Sequence, residues 1–329
     1  MSVARLSVAV TDNALTRPII DGDVTPDGVD WTPIALHPSE LFWRQLHFAD
    51  FDVFEMSLST SLRLASLGDR RWVVLPVFTT RSLAHLSVIV TERSGIRTPE
   101  DLRGRRIGVP EYQQTSAVWS RGVLERDFGV RPEEIRWSME RGSVRSHGSA
   151  TAFQAPEGVE VETIVETESI GHLLADGRLD GSLLYLSSPN LVDRSPVLDE
   201  VEVGIRPLFE PAAERERLAG APLHANHCLA IRRELAEAMP WLVLNVFEAF
   251  VRAKDVARDR LAVAIAPWAQ AGGAFAAAAA RVPGSDPAPY GYAANEGMLR
   301  ELAGFVLRQG IAVRPVDPAE LFAPQALAT

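Results

Sequence analysis

Several features that mark particular classes of protein are absent from this sequence or nearly so. Cys228 is the single cysteine, which excludes an internal disulfide and a paired-cysteine metal site. No run of about 18 apolar residues occurs, so no membrane-spanning helix is expected. Lys and Arg number 33 against 43 Asp and Glu, and the net charge of −10 argues against binding to nucleic acid or to an anionic membrane surface. The HExxH, GxSxG, P-loop and GxGxxG motifs are not found in a supporting context.

The rest of the composition is that of a soluble globular protein. The 329 residues are 47% hydrophobic and 23% charged, and this length suggests about two domains, each with its own core. The N-terminal sequence MSVARLSVAV has an apolar run too short for a signal peptide and predicts a buried first strand. We therefore expect a cytoplasmic protein. The Ala-rich run at 272–280 is compatible with a helix that is too short to span a bilayer.

Strand and helix signals alternate along the chain, which predicts an α/β fold. Predicted strands include 51–56, 72–78, 84–91 and 226–231, and predicted helices include 38–48, 117–128 and 241–258. The stretch after residue 93 forms a compact α/β insert between two parts of another unit. This organisation predicts two lobes around a ligand cleft: lobe 1 from 1–88 plus 201–329, lobe 2 from 89–200, and crossing strands near 84–92 and 200–231.

Polar segments follow the predicted strands, where ligands of open α/β sheets bind. These segments are 11–13, 57–60, 78–81, 110–116 and 187–190. The loop from Glu111 to Ser116 precedes a helix, whose free N–H groups favour an anion, and Thr115 or Ser116 is the expected N-cap. Arg81 is a candidate for holding a carboxylate. The alternative for the helix start is simple capping without a ligand, and the alternative for Arg81 is a solvated surface side chain. Together the polar segments predict a polar, anion-accepting cleft.

Two of the seven histidines, His85 and His227, lie on predicted crossing strands. Histidine suits proton transfer near neutral pH, although a hydrogen-bonded structural role is the usual alternative. Glu55 and Asp12 stand at strand ends, where each is a candidate base, hydrogen-bond acceptor or helix cap. A zinc or other divalent site from both histidines and a carboxylate has no direct support in the spacing. No metal ligand is predicted and no cofactor is expected.

Four stretches resemble a known family: FDVFEMSLST, LPVFTTRSLAH, GIRTPEDLRGRRIGVPEYQQTSAVWSRGVL and DPAPYGYAANEGML. They are similar to 4,5-dihydroxyphthalate decarboxylase and its relatives, and GVPEYQQTSAVWSRG is the most specific piece. The resemblance spans nearly the whole chain. It implies the type 2 periplasmic-binding-protein fold, in which crossing strands join two α/β lobes around a central cleft.

The resemblance also implies site residues and a reaction. The positions that match the family's motifs are Thr16, Glu55, Ser57, Ser59, Arg81, His85, Glu111, Tyr112, Thr115, Trp119, Arg121 and His227. The implied reaction is cofactor-free loss of CO2 from a hydroxylated aromatic acid after ring protonation. We expect His85 to donate the proton, with His227 as the second candidate, and Glu55 or Glu111 to polarise a hydroxyl. Arg81, Thr115 and the helix N-terminus would hold a carboxylate.

The remaining substrate-binding candidates are Ser57, Ser59, Tyr112, Trp119, Arg121 and Asp12. The sequence departs from the family's pattern at Asp12-Asn13-Ala14, at Ala84 and from Arg141 to His147, which puts the recognition of carboxylate or hydroxyl groups in question. The expected partner is a small aromatic acid, and enzymatic relatives suggest a homo-oligomer. A solute-binding protein and a different cofactor-free lyase on the same fold are the alternatives.

Overall fold

Two β-sheets, each covered by helices, organise the protein. The computed structural model describes residues 3–188, 190–218, 223–269, 273, 286 and 288–329. The Ala-rich run at 272–280, apart from residue 273, and Pro189 in the predicted segment 187–190 lie outside the described residues.

The first sheet has the strand order β2-β1-β3-β11-β4. Its strands are β1 (Ala4–Val10), β2 (Val29–Ala35), β3 (Val53–Ser57), β4 (Trp72–Ser82) and β11 (His224–Arg232). β1 runs parallel to β2 and β3, whereas β11 returns antiparallel between β3 and β4. The chain therefore leaves this lobe after β4 and re-enters it in the middle of the sheet.

The second sheet has the order β10-β5-β9-β6-β7-β8. Its strands are β5 (Ile89–Thr91), β6 (Arg106–Val109), β7 (Arg136–Met139), β8 (Val161–Thr163), β9 (Gly181–Ser182) and β10 (Ile205–Pro207). The predicted α/β fold with two lobes is confirmed. β10 lies beyond residue 200, the position at which the sequence places the end of lobe 2.

Helices cover both sheets. They are α1 (Arg17–Ile20), α2 (Pro38–Phe48), α3 (Leu58–Ser66), α4 (Thr115–Phe128), α5 (His147–Ala150), α6 (Ile170–Ala175), α7 (Pro211–Arg217), α8 (Arg233–Ala238), α9 (Pro240–Ala269) and α10 (Glu296–Arg308). None of the helices in the described ranges is long and apolar enough to cross a membrane.

Helix α4 connects the two lobes because it contributes to both cores. Val118 and Trp119 pack in the core of the first lobe, while Ala117 and Leu124 belong to that of the second. Gly129 ends the helix with φ of 65°, a left-handed conformation that suits glycine. The helix begins at Thr115 with Gln114 as its N-cap, one residue before the predicted cap.

One predicted strand is wrong over half of its length. Residues 84–91 were expected to form a single crossing strand, but Ala84–Ser87 is a 3-10 helix and only Ile89–Thr91 is extended. His85 consequently lies on a turn rather than on a strand, which changes the direction of its side chain.

Candidate active site

A cavity of about 190 Å³ lies where the two lobes meet. It is framed by the end of β3, the start of α2 and β11 from the first lobe and by the start of α4 and the segment 141–147 from the second. The lining residues are His37, Pro38, Ser39, Phe42, Ser57, Ser82, Ser87, Gln114, Thr115, Ser116, Arg141, His147, Leu184, Leu186, Asn226 and His227.

The lining differs in composition from the acidic protein as a whole. The described lining contains one arginine and three histidines but no aspartate or glutamate, although the chain carries a net charge of −10. Gln114 does not cap α4 with its side chain, so the N–H groups of the first helical turn add positive potential. The cavity is suited to an anion that also carries hydrogen-bonding groups.

A cluster of hydroxyl groups joins the lobes at one side of the cavity. Ser57 Oγ lies 2.9 Å from Thr115 Oγ1, which also accepts the Ser59 N–H at 3.0 Å. Ser59 Oγ in turn donates to the Gln113 carbonyl at 2.6 Å. Ser57 and Thr115 line the cavity, whereas Ser59 is fully buried behind them.

His227 enters the cavity from β11 and is paired with Glu55 on β3. The His227 Nδ1 atom lies 3.4 Å from Glu55 Oε2, and the Glu55 side chain is 0% exposed whereas that of His227 is 14% exposed. The edge of the Phe42 ring packs on the imidazole, with 4.8 Å between ring centroids. The structure thus brings together two of the four predicted catalytic residues.

Arg141 is held at the opposite side of the cavity by a buried ion pair. Its Nε and Nη2 atoms donate to Asp193 Oδ1 at 2.9 and 2.8 Å, and Nη2 also donates to Ser39 Oγ at 2.6 Å. Both charged side chains are 1% exposed. Burial raises the pKa of Asp193, but the Arg141 charge and the hydrogen bonds outweigh that effect, so its pKa is lowered overall.

Glu111 supports this side of the cavity without lining it. Its carboxylate accepts hydrogen bonds from Ser146 Oγ at 2.9 Å and from the N–H groups of His147 and Gly148 at 3.0 and 3.3 Å. Complete burial raises its pKa despite these bonds and the nearby Arg141 charge. Its position favours a role in shaping the segment 146–148 over the predicted polarisation of a substrate hydroxyl.

His147 lines the cavity and bridges the lobes. Its Nε2 atom lies 3.0 Å from the Ser39 carbonyl, so Nε2 carries the proton of the neutral ring. Burial, with a further contribution from the Arg141 charge, lowers its pKa from 6.5 to about 3. His37 at the N-cap of α2 also has a lowered pKa, chiefly because of burial.

His85, the first choice for proton donor, does not reach the cavity. Its side chain is 0% exposed, its Nε2 atom lies 3.0 Å from Glu214 Oε2, and its ring packs edge-on against Phe209. Burial lowers the pKa of His85 even though Glu214 opposes that shift. The 3-10 turn at Ala84–Ser87 directs the imidazole into the protein rather than toward the cleft.

Arg81 likewise points away from the cavity. Its guanidinium donates to the carbonyls of Leu223 and Pro289 and to Asn295 Oδ1 at 3.0, 2.7 and 2.6 Å. Burial lowers its pKa to about 10. On β4, Arg81 pairs with Ala225 and Thr80 pairs with His227, and the register of β4 and β11 shifts between these two pairs. Arg81, the predicted carboxylate anchor, therefore joins β4 to the segments that contain Leu223, Pro289 and Asn295.

The other predicted residues also lie outside the cavity lining. Trp119 donates to the Ala225 carbonyl at 2.9 Å, and the buried Arg121 guanidinium lies 3.8 Å from the centre of the Tyr112 ring. Asp12 pairs with Arg17 at the surface, and Thr16 hydrogen-bonds within the loop that follows β1. None of these residues lines the cavity.

Several lining residues carried no functional assignment in the sequence analysis. Arg141 and His147 lie in a segment where the sequence departs from the family pattern, and the sequence favours a surface or structural role for His37 and His147. It gives Ser39, Gln114 and Asn226 no individual role. Asp193 was also missed. Arg141 and Ser39 are 102 residues apart in the chain, so no local spacing reveals their contact. Within the described ranges, no group of three or more His, Cys, Asp or Glu side chains is arranged to hold a metal ion.

Sequence comparison finds two curated relatives of this chain. No protein-family model matches the chain. It is 36% identical over 337 residues to the 4,5-dihydroxyphthalate decarboxylase of Comamonas testosteroni, covering 99% of this chain and 98% of that protein. It is 38% identical over 182 residues to the 4,5-dihydroxyphthalate decarboxylase of Pseudomonas putida, covering 55% of this chain and 70% of that protein.

Solved structures extend the comparison to the fold. The periplasmic aliphatic sulphonate binding protein SsuA from Escherichia coli superposes with a TM-score of 0.56 at 14% identity, covering 98% of this chain and 92% of that chain. This likeness confirms the predicted type 2 periplasmic-binding-protein-like fold. The full-length match to a curated relative confirms the resemblance seen in the sequence, and the chain belongs to the 4,5-dihydroxyphthalate decarboxylase family.

Proposed function

We propose that this protein is a carboxy-lyase that removes CO2 from a hydroxylated aromatic dicarboxylic acid of the 4,5-dihydroxyphthalate type. The observation that carries the proposal is the cavity between the lobes, where the His227–Glu55 pair faces hydroxyl groups, a helix N-terminus and Arg141 without any lining carboxylate. The names of the curated relatives supply the substrate class. The proposed location is the cytoplasm and the proposed partner is the small-molecule substrate.

The proposed reaction transfers one proton and breaks one bond. Protonated His227 donates from Nε2 to the ring carbon that bears the carboxylate, and a hydroxyl para to that carbon supplies electron density. The C–C bond to the carboxylate then breaks, its electron pair restores the aromatic ring, and CO2 leaves. A positioned acid of this kind contributes about 10² to 10⁴ in rate.

The other cavity residues bind and orient the substrate. Ser57, Thr115 and the first N–H groups of α4 are placed to bind a substrate carboxylate. Arg141 also lines the cavity, with its charge paired to the buried Asp193 carboxylate. Phe42, Leu184 and Leu186 supply the apolar surface that an aromatic ring requires. The buried Glu55 carboxylate lies 3.4 Å from His227 Nδ1 and orients the imidazole ring.

The decisive experiment measures products rather than binding. Purified protein is incubated with 4,5-dihydroxyphthalate and a panel of mono- and dihydroxylated benzoates and phthalates, with and without a chelator, and CO2 and ring products are quantified. The proposal predicts stoichiometric CO2 from at least one hydroxylated phthalate, with or without chelator. Tight binding of these acids without CO2 release would instead identify a solute-binding protein.

A further inference from the structure

Three polar side chains, those of Thr11, Glu55 and His227, contact one another in series between the end of β1 and the cavity. Thr11, directly after β1, donates its hydroxyl to Glu55 Oε2 at 2.5 Å. The same oxygen lies 3.4 Å from His227 Nδ1. β1, β3 and β11 are consecutive in the sheet, so the order of strands places the three residues side by side.

The polar contacts of Glu55 all lie within this Thr11–Glu55–His227 series among the described residues. It is completely buried, and its Oε1 atom has no hydrogen-bond partner among the residues that the structure describes. A buried carboxylate with few hydrogen bonds is costly. His227 Nδ1 also has no hydrogen-bond partner among the described residues, so its 3.4 Å contact with Glu55 Oε2 is an ion-pair contact rather than a formed hydrogen bond. A carboxylate oxygen at this distance favours a proton on Nδ1 over one on Nε2.

Other ionisable groups lie near the Thr11–Glu55–His227 series, but none of them takes the place of its contacts. Tyr290 and Cys228 interact electrostatically with Glu55, Arg81 interacts with Tyr290, and His37 interacts with His227. Arg81 directs its guanidinium to Leu223, Pro289 and Asn295 instead. The hydrogen bond from Thr11 is thus the contact that sets the direction of the Glu55 carboxylate.

We propose that Thr11 is a positioning residue that acts through Glu55 to fix the ring orientation and tautomer of His227. This inference rests on the proposed function, in which Nε2 of the neutral Nδ1–H ring takes up a second proton and delivers it to the substrate. Thr11 does not line the cavity, so its loss is not expected to weaken substrate binding. Misplacement of a reacting group by a change distant from the chemistry can lower the rate by as much as about 100-fold, and the effect should fall on kcat rather than KM.

The test compares three threonine variants. T11V removes the hydroxyl at nearly constant volume, and T11S retains it. T91V is the matched control, because Thr91 is a buried threonine of the second lobe whose hydroxyl donates to the Asp180 carbonyl at 3.2 Å. The proposal predicts a kcat about 10-fold lower in T11V with KM unchanged, and values near wild type in T11S and T91V.

A second readout does not require turnover. The ¹⁵N shifts of the His227 ring, assigned with H227Q, report which nitrogen carries the proton. Wild type should show protonation at Nδ1, whereas E55Q and T11V should shift the ring toward the other tautomer. Wild-type kcat in T11V, or an unchanged tautomer in both variants, would overturn the proposal. If wild type releases no CO2 but the tautomer shifts occur, the positioning role of Thr11 is supported and the decarboxylase proposal fails.

Discussion

Acid should destabilise this protein through His147 in a measurable and specific way. The imidazole is buried between the lobes, where it donates to the Ser39 carbonyl and lies near the Arg141 charge. Its pKa is lowered from 6.5 to about 3. Above pH 6.5 neither the folded nor the unfolded state protonates this group, so it adds no pH dependence there.

Below that pH the unfolded state binds a proton that the folded state excludes, and stability falls. Each pH unit in this window costs about 1.4 kcal/mol. Lowering the pH from 7 to 5 should therefore remove about 2 kcal/mol of unfolding free energy through His147 alone. The full loss, near pH 3, is about 5 kcal/mol.

Urea unfolding at pH 7 and pH 5 tests this value in wild type, H147Q and H172Q. The first substitution removes the buried titrating group, and the second removes an exposed histidine of the second lobe. Wild type and H172Q should each lose about 2 kcal/mol more than H147Q between the two pH values. An equal loss in H147Q and wild type would refute the argument from burial.

Two further predictions concern buried groups. D193N should lower the unfolding free energy by about 3 kcal/mol, because it leaves the buried Arg141 with only the more distant Glu111 carboxylate, 4.0 Å away. S39A, which removes one bond to the same guanidinium, should cost less, and equal urea midpoints for D193N and wild type would contradict this. Burial raises the pKa of Cys228 to about 12, so iodoacetamide at pH 8 should modify the unfolded but not the native protein. Labelling of the native thiol at the rate of a free peptide cysteine would show that the site is accessible.

The fold was predictable because its signals are local. Alternating strand and helix patterns identified both lobes, and the polar segments after the strands identified the cleft between them. Ser57 and Thr115, two of the predicted substrate-binding residues, both line the cavity. Each directly follows a recognisable strand or polar loop. The family resemblance added the lobe connection and the reaction class.

The choice among histidines and arginines was not predictable from local patterns. His85 and His227 occupy similar apolar runs, and only the 3-10 turn at Ala84–Ser87 turns the first of them inward. Arg81 and Arg141 differ in the same way, since long-range contacts to Asn295 and to Asp193 determine where each guanidinium points. Such contacts join residues more than 50 positions apart, which no sequence window contains.

Release of ¹³CO2 from carboxyl-labelled 4,5-dihydroxyphthalate by wild type, H227Q and H85Q tests the central claim most directly. Because His227 faces the cavity and His85 is buried against Glu214 and Phe209, H227Q should lose about 100-fold or more in kcat. H85Q should stay within a few-fold of wild type, provided that both variants unfold at similar urea concentrations. Wild-type turnover by H227Q, or loss of turnover confined to H85Q, would contradict the account.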